Sequence, residues 1–218
     1  MSSEYFEEIK KSYNSNSDSQ LYLKARVFKT FNKLLVHLFN KEINDKMSLL
    51  DLGSSDGSFV QIAKDKGLKA IGLDINDVNL EKDKLPFENE SFDLITANSL
   101  IEHINNPSNF LKEAKRVLKK DGFFIIVTPD WSFNSKFFYD DPTHVHPYTS
   151  RSLKFLLSSM DFKNINVLPW LVCKPIWMWK IPFKFLLARL IPFRGDSSKL
   201  IPNFLKGKSK TLLAVCKK

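Results

Sequence analysis

Leu49-Leu-Asp-Leu-Gly-Ser-Ser-Asp-Gly-Ser-Phe59 constrains the fold of this chain more than any other stretch. A short apolar run reads as a buried strand that carries Asp51 and ends at Gly53. Small residues then turn to Gly57, and an apolar-periodic segment follows that reads as a helix. Strand, glycine turn and helix in that order present backbone N–H groups and a positive helix end to an anionic or polar ligand. Glycine suits the turn because a Cβ would block positive φ values or a ligand's close approach. Many folds contain such a turn, so the elements around it decide the reading.

Those elements alternate. Residues 3–12 read as a short helical lead and Asn14–Gln20 as a polar linker. Residues 20–41 place Leu21, Leu23, Val27, Phe28, Phe31, Leu34, Leu35 and Leu38 at helical spacing, which predicts an amphipathic helix packed on the sheet. Strands are predicted at Met47–Leu52, Leu68–Leu73, Val78–Glu81, Phe92–Ala97, Phe123–Thr128, Asn164–Leu168 and Thr211–Cys216. Helices are predicted at Gly57–Lys66, Pro107–Lys119 and Ser152–Ser159. This order implies an α/β fold with a mostly parallel seven-stranded sheet and helices on both faces. Ligands of such sheets bind beyond the C-terminal strand ends, where Gly53, Asp74 and Asn98 fall.

Two cysteines, Cys173 and Cys216, make no disulfide framework, and the acidic start Met1–Glu8 lacks the pattern of a signal peptide. No uncharged apolar run approaches a membrane span, so a cytoplasmic protein is expected. The net charge of +9 is uneven: from Lys163 onward there are twelve Lys/Arg and one acid, Asp196, which leaves residues 1–162 slightly acidic. An anionic partner for the last quarter is the natural implication.

With these residues placed, the chain resembles class I S-adenosylmethionine-dependent methyltransferases of the small-molecule and glycan type, over residues 45–168 and the final strand. The family's first motif, Asp-x-Gly-x-Gly-x-Gly, reads here Asp51-Leu-Gly53-Ser54-Ser55-Asp-Gly57, with Ser55 in place of the middle glycine. Asp74 ends strand two where the family places an acid on the ribose hydroxyls, with Ile75 beside it. Leu85-Pro-Phe87 with Ser91-Phe-Asp93 matches the mid-domain signature. Asn98-Ser99-Leu-Ile-Glu102-His103 matches the segment on the methionine side of the cofactor, and Arg116–Gly122 the helix and turn before strand five. The resemblance implies a Rossmann-like fold and S-adenosylmethionine as cofactor. Only ten residues separate Asp74 from Leu85, too few for the usual helix and strand, so Asn79, Leu80 and Glu81 share the adenine side without a preferred member. A nucleotide-dependent dehydrogenase fits less well, since Ser55 breaks the Gly-x-Gly-x-x-Gly fingerprint.

An oxygen acceptor needs a base for its proton. Asp140-Asp141-Pro-Thr-His144-Val-His146-Pro-Tyr148-Thr-Ser-Arg151 resembles a segment that reaches the acceptor in methyltransferases acting on sugars and other small molecules. His144 is the first candidate base, His146 and His103 are the alternatives, and Asp141, Tyr148 and Arg151 are candidate acceptor contacts. Alternation in His144-Val145-His146 would set both imidazoles on one side of an extended segment, able to hold a metal with Asp140 or Asp141. The commoner use of such a cluster is a hydrogen-bonded loop anchor, and no metal is expected.

Residues 169–207 form an insert between the last two strands, rich in Trp, Phe, Lys and Arg and broken by five prolines. It reads as a lid over the pocket, or as a contact with anionic membrane that admits a lipid-linked acceptor. The expected organisation is an N-terminal helical cap over 1–44, the cofactor-binding domain over 45–168 and 208–218, and this insert. The expected activity is methyl transfer to an oxygen of a small-molecule or glycan-type acceptor, by a cytoplasmic protein that rests peripherally on the inner membrane face in the lipid-linked case. Nucleic acid is disfavoured because Asn98 is not followed by the Pro-Pro-aromatic motif of base-modifying enzymes, although RNA oxygen methylation remains an alternative, as does a catalytically inactive binding or scaffold protein. The sequence does not give an oligomeric state.

Overall fold

A computed structural model describes residues 17–74, 77–170, 178, 182–183, 186, 190–194, 202 and 206–218. Helix α1 (Ser17–Phe39) leads into β1 (Ser48–Leu52), α2 (Ser58–Asp65), β2 (Lys69–Leu73) and β3 (Phe92–Asn98). A 3-10 turn (Ile101–His103) precedes α3 (Pro107–Val117), β4 (Leu118–Pro129) and the short α4 (Trp131–Asn134). The chain then forms α5 (Ser150–Ser159), β5 (Lys163–Pro169), β6 (Phe193–Arg194), β7 (Lys206–Lys208) and β8 (Thr211–Lys217). The main sheet has six strands in the order β2-β1-β3-β4-β8-β5, while β6 and β7 form a separate pair. The first four strands run parallel, and β8 is antiparallel to both β4 and β5.

Alternation along the strands divides the core between the two faces. Leu49, Ile125, Val127, Leu213 and Val215 pack with α1 and α2 on one face. Leu50, Ile95, Phe124, Ile126, Ala214 and Cys216 pack with α3 and α5 on the other. Phe31, Leu34 and Leu35 of α1 are fully buried, each contributing roughly 1.5–3 kcal/mol, so α1 packs on the sheet as its periodicity predicts. Its first turns differ: Leu21 and Leu23 are exposed, and Ser17–Gln20, read as linker, are helical.

The described residues hold six main-sheet strands where the sequence predicts seven, and the missing one is Val78–Glu81. Val78 and Leu80 are buried, but the surrounding polar side chains take the backbone donors that a ladder needs. Asn79 N donates to Asp83 Oδ2 at 2.9 Å and Glu81 N to Asn79 Oδ1 at 3.0 Å, so the segment curls into successive turns. The antiparallel β8 also makes the sheet mixed. The helical lead at 3–12, Ile75, and most of the insert lie outside the described residues.

The mid-domain signature is a staple at the opposite end of the sheet from Gly53, Asp74 and Asn98. Asp93 Oδ2 accepts from Ser48 N at 2.9 Å, Ser48 Oγ at 2.8 Å and Lys119 Nζ at 2.8 Å. Partial burial pushes the Asp93 carboxyl up, but these bonds prevail and hold it below the usual range. Arg116 clasps the Leu85–Phe87 turn through the carbonyls of both residues, at 3.0 and 2.8 Å, while Glu113 Oε2 accepts from Leu85 N at 2.8 Å. Asp93 therefore reports on the fold and not on the chemistry.

Candidate active site

The C-terminal ends of β1 and β2 meet at the Gly53–Gly57 turn. Gly53 N donates to Leu73 O at 2.8 Å and Ser54 N to the same oxygen at 3.1 Å, which ties the turn to the end of β2. Ser55 takes φ +51, so it adopts the left-handed backbone that the family's middle glycine allows. Gly57 caps α2 at φ +71. A Cβ on Gly72 would meet Ser54 Cβ at 2.6 Å, so glycine there lets the turn lie flat against β2. Asp51 is buried and accepts from Thr96 Oγ1 at 2.6 Å across the β1–β3 pair. Burial pushes its carboxyl up to about 6 despite that bond.

Asp74 follows β2, with its N–H donated to Asp77 Oδ2 at 2.6 Å. Asn98 ends β3, and Ser99 follows at φ +49. A cleft of about 300 Å³ is lined by Asn79, Leu80, Glu81, Lys82, Leu100, His103 and Ile104; of the predicted cofactor residues only Asn79, Leu80 and Glu81 line it, and the Gly53–Gly57 turn, Asp74 and Asn98 do not. Glu81 Oε1 accepts from Asn105 N at 2.9 Å and from Asn105 Nδ2 at 3.2 Å. A second cavity, of about 350 Å³, opens beside the last turn of α3 among Lys112, Lys115, Arg116 and Met160, and none of the predicted site residues line it.

The loop after β4 closes on the turn after β3. Glu102 O accepts from Val145 N at 2.9 Å and His146 N at 3.0 Å, which fixes the loop to the 3-10 turn. His103 Nδ1 lies 2.8 Å from Thr143 Oγ1 and 3.2 Å from Thr143 O. Thr143 Oγ1 donates to Asp141 Oδ1 at 2.6 Å, so its own proton is committed. The His103 proton therefore sits on Nδ1 and its Nε2 keeps a lone pair. His144 Nδ1 lies 2.6 Å from Phe138 O, an acceptor only, and the same tautomer follows. The two imidazoles face each other with ring centroids 4.8 Å apart. Burial lowers the His103 pKa, and the neighbouring His144 lowers it further. Glu102 beneath them is fully buried; Oε2 accepts from Thr128 Oγ1 at 2.9 Å, and burial pushes the carboxyl up to about 7.

The predicted residues divide accordingly. Asp51, Gly53, Ser54, Ser55, Gly57, Asp74, Asn98 and Ser99 gather at the strand ends, and Asn79–Glu81 at the cleft. His103, His144 and Asp141 gather at the loop. His146 does not form the expected pair with His144, because Val145 N and His146 N both donate to Glu102 O, at 2.9 and 3.0 Å, which successive residues of an extended strand do not do. Its ring stacks on Tyr148 at 4.9 Å instead, and Tyr148 is buried in the core, while Arg151 is exposed on the first turn of α5. Glu102 and Thr143 are not among the site residues that the sequence pattern points to. The Glu-His pair after β3 is the available signal for Glu102; nothing local marks Thr143.

A family model described as a methyltransferase domain matches residues 22–167. The chain belongs to the S-adenosylmethionine-dependent methyltransferase family. An uncharacterized protein of Methanocaldococcus jannaschii is 30% identical over 136 residues, covering 54% of this chain and 65% of that protein. The ubiquinone biosynthesis O-methyltransferase of Pelagibacter ubique is 26% identical over 144 residues, covering 58% of each. Both matches thus span less than two thirds of the relative's length. Among solved structures, a SAM-dependent methyltransferase from Archaeoglobus fulgidus has a TM-score of 0.57 at 18% identity, covering 89% of this chain and 94% of that one. Phosphoethanolamine N-methyltransferase 2 of Haemonchus contortus, solved with S-adenosyl-L-methionine, has a TM-score of 0.55 at 16% identity, covering 85% and 51%. These structural likenesses concern the fold.

Proposed function

We propose that this methyltransferase moves a methyl group from S-adenosylmethionine to an oxygen of a small-molecule or glycan-type acceptor. The observation that carries the oxygen reading is the pair of imidazoles whose Nε2 atoms keep lone pairs at the end of the sheet where the cofactor turn lies. A hydroxyl is a poor nucleophile until its proton has somewhere to go, and a neutral imidazole nitrogen is suited to take it.

The residues fit the cofactor. Asp74 at the end of β2 can accept two hydrogen bonds from a vicinal diol. The Gly53–Gly57 turn, held to Leu73 O and pressed on Gly72, leaves backbone at the surface for close approach. Asn79–Glu81 and Leu100 form the cleft wall beside them. S-adenosylmethionine supplies an electrophilic methyl group on a sulfonium sulfur. The protein's work is to align the acceptor oxygen with it, and His144 Nε2 removes the acceptor's proton as the C–S bond breaks and the C–O bond forms. Asp141 orients His103 through Thr143, and Phe138 O orients His144.

The Pelagibacter relative's name supports an oxygen acceptor, and the basic, aromatic insert supports one carried on a lipid at an anionic membrane face. Among the described residues no helix is long and apolar enough to cross a membrane. The test is incubation with methyl-labelled cofactor and a panel of phenolic, sugar and lipid-linked acceptors. A methoxy product that is lost in His144→Ala supports the reading; label found only on nitrogen, or a rate unchanged in His144→Ala, refutes it.

A further inference from the structure

The loop that carries His144 closes over Glu102 and His103, and the three side chains converge. One ligand atom from each lies within 4.8 Å of the other two. Glu102 is fully buried; the Ser99 hydroxyl and its own backbone N–H stand close enough to favour its charged form, yet Oε1 completes no well-aligned hydrogen bond among the described residues. A buried carboxyl that leaves one oxygen without a well-aligned bond, on a side chain that converges with two imidazoles, is a poor resting arrangement for a loop anchor. The anchoring itself is done by other atoms: Glu102 O holds Val145 and His146 N–H, and His103 holds Thr143. The carboxylate is not needed for it.

The imidazoles are prepared in the way that metal-ligating histidines are. Each directs one ring nitrogen to an oxygen acceptor, Thr143 for His103 and Phe138 O for His144, and keeps the other for a ligand. Asp141 Oδ2 stands 3.8 Å from His144 Nε2, beyond a hydrogen bond but near enough to serve as a fourth ligand or to hold a metal-bound water. Bonds of about 2.1 Å would draw the three ligand atoms together by less than about 1 Å each.

We propose that Glu102, His103 and His144 bind a first-row divalent cation of the zinc and cobalt class, positioned to hold the acceptor oxygen. Imidazole with one carboxylate favours such ions over magnesium or calcium, which prefer all-oxygen sites. The inference rests on the proposed oxygen methylation and deepens it. With the cation bound, His144 Nε2 is a ligand instead of the base. The acceptor oxygen coordinates the cation, its O–H bond breaks heterolytically, and the proton passes to solvent water.

The test uses full-length, tag-free protein dialysed against chelator, titrated with Co²⁺ and followed by visible d–d absorption and calorimetry. One equivalent should bind with the spectrum of a nitrogen-ligated ion. His144→Ala and Glu102→Gln should each weaken binding by about 100-fold or more, Thr143→Val by about tenfold through the supporting hydrogen bond, and His146→Ala not at all. Glu102→Gln could fail to fold, whereas His144 sits in a loop, so that variant keeps the test open. No saturable binding by the folded wild type, binding that survives His144→Ala, or displacement of Co²⁺ by equimolar Mg²⁺ would each overturn the site. S-adenosylmethionine titrated into the same samples separates the two readings. Cofactor bound without cobalt defeats the metal site alone, and cobalt bound without cofactor defeats the methyltransferase reading alone.

Discussion

The turn after β1 and the loop after β4 belong to the same end of the sheet, yet they are built from different materials. The turn is one contiguous stretch whose backbone forms the surface, with its buried carboxyl, Asp51, matched to Thr96 across a strand pair. The loop is assembled from side chains some forty residues apart, and its buried carboxyl, Glu102, accepts from Thr128 with one oxygen and completes no well-aligned bond among the described residues with the other. A satisfied buried carboxyl holds a scaffold together. Glu102 differs in that its second oxygen is sealed from solvent without a well-aligned bond, and the proposed cation would supply the missing partner.

If the two regions divide binding from chemistry, their variants should separate. The largest effect is expected for His144→Ala, which should lower turnover by roughly 10²–10⁴-fold while cofactor affinity stays within about twofold; the check is kcat beside calorimetric Kd. Gly72→Val comes next. Its side chain must displace Ser54, so it should destabilise the protein by about 2–3 kcal/mol in urea melts and abolish cofactor binding. A Gly72→Val protein that binds normally would show the turn is not set by β2.

Asp51 offers a pH test of its own region. Its folded-state pKa, about 6, is raised above the unfolded value of 3.8, because burial disfavours the charged form. The stability it contributes is therefore fully present below the unfolded pKa and lost as pH rises through about 6. Asp51→Asn keeps the acceptor for Thr96 without the charge. Relative to this variant, wild type should lose roughly 2 kcal/mol between pH 4 and pH 8. Parallel stability–pH curves would remove Asp51 from the account. The smallest effect is Asp74→Ala, with cofactor affinity down about tenfold for the loss of hydrogen bonds to a charged group, read by calorimetry.

The same division explains what could be read from the chain. The turn was legible because backbone geometry demands particular residues in consecutive positions, and Ser55 departs from the pattern without breaking it, since it takes the left-handed φ. The strands around it were legible from apolar runs. Val78–Glu81 was misread because its two buried residues alternate as a strand's do, while the Asn and Asp side chains that divert its backbone leave no periodic trace. At the loop, strand alternation predicts His146 as the partner of His144. The actual neighbours, Glu102 and His103, arrive from the end of β3 through tertiary folding alone. Asp93 shows the converse: a strong motif whose work is to fasten β1 to β3, far from the chemistry.

The measurement that bears most directly on the central claim is calorimetric titration of S-adenosylmethionine into wild type, Asp74→Ala and His144→Ala, with NAD as control. The account predicts saturable binding to wild type, weaker binding to Asp74→Ala, undiminished binding to His144→Ala and none of NAD. Equal loss in both variants, or no binding to wild type, would contradict a cofactor turn that stands apart from the acceptor loop.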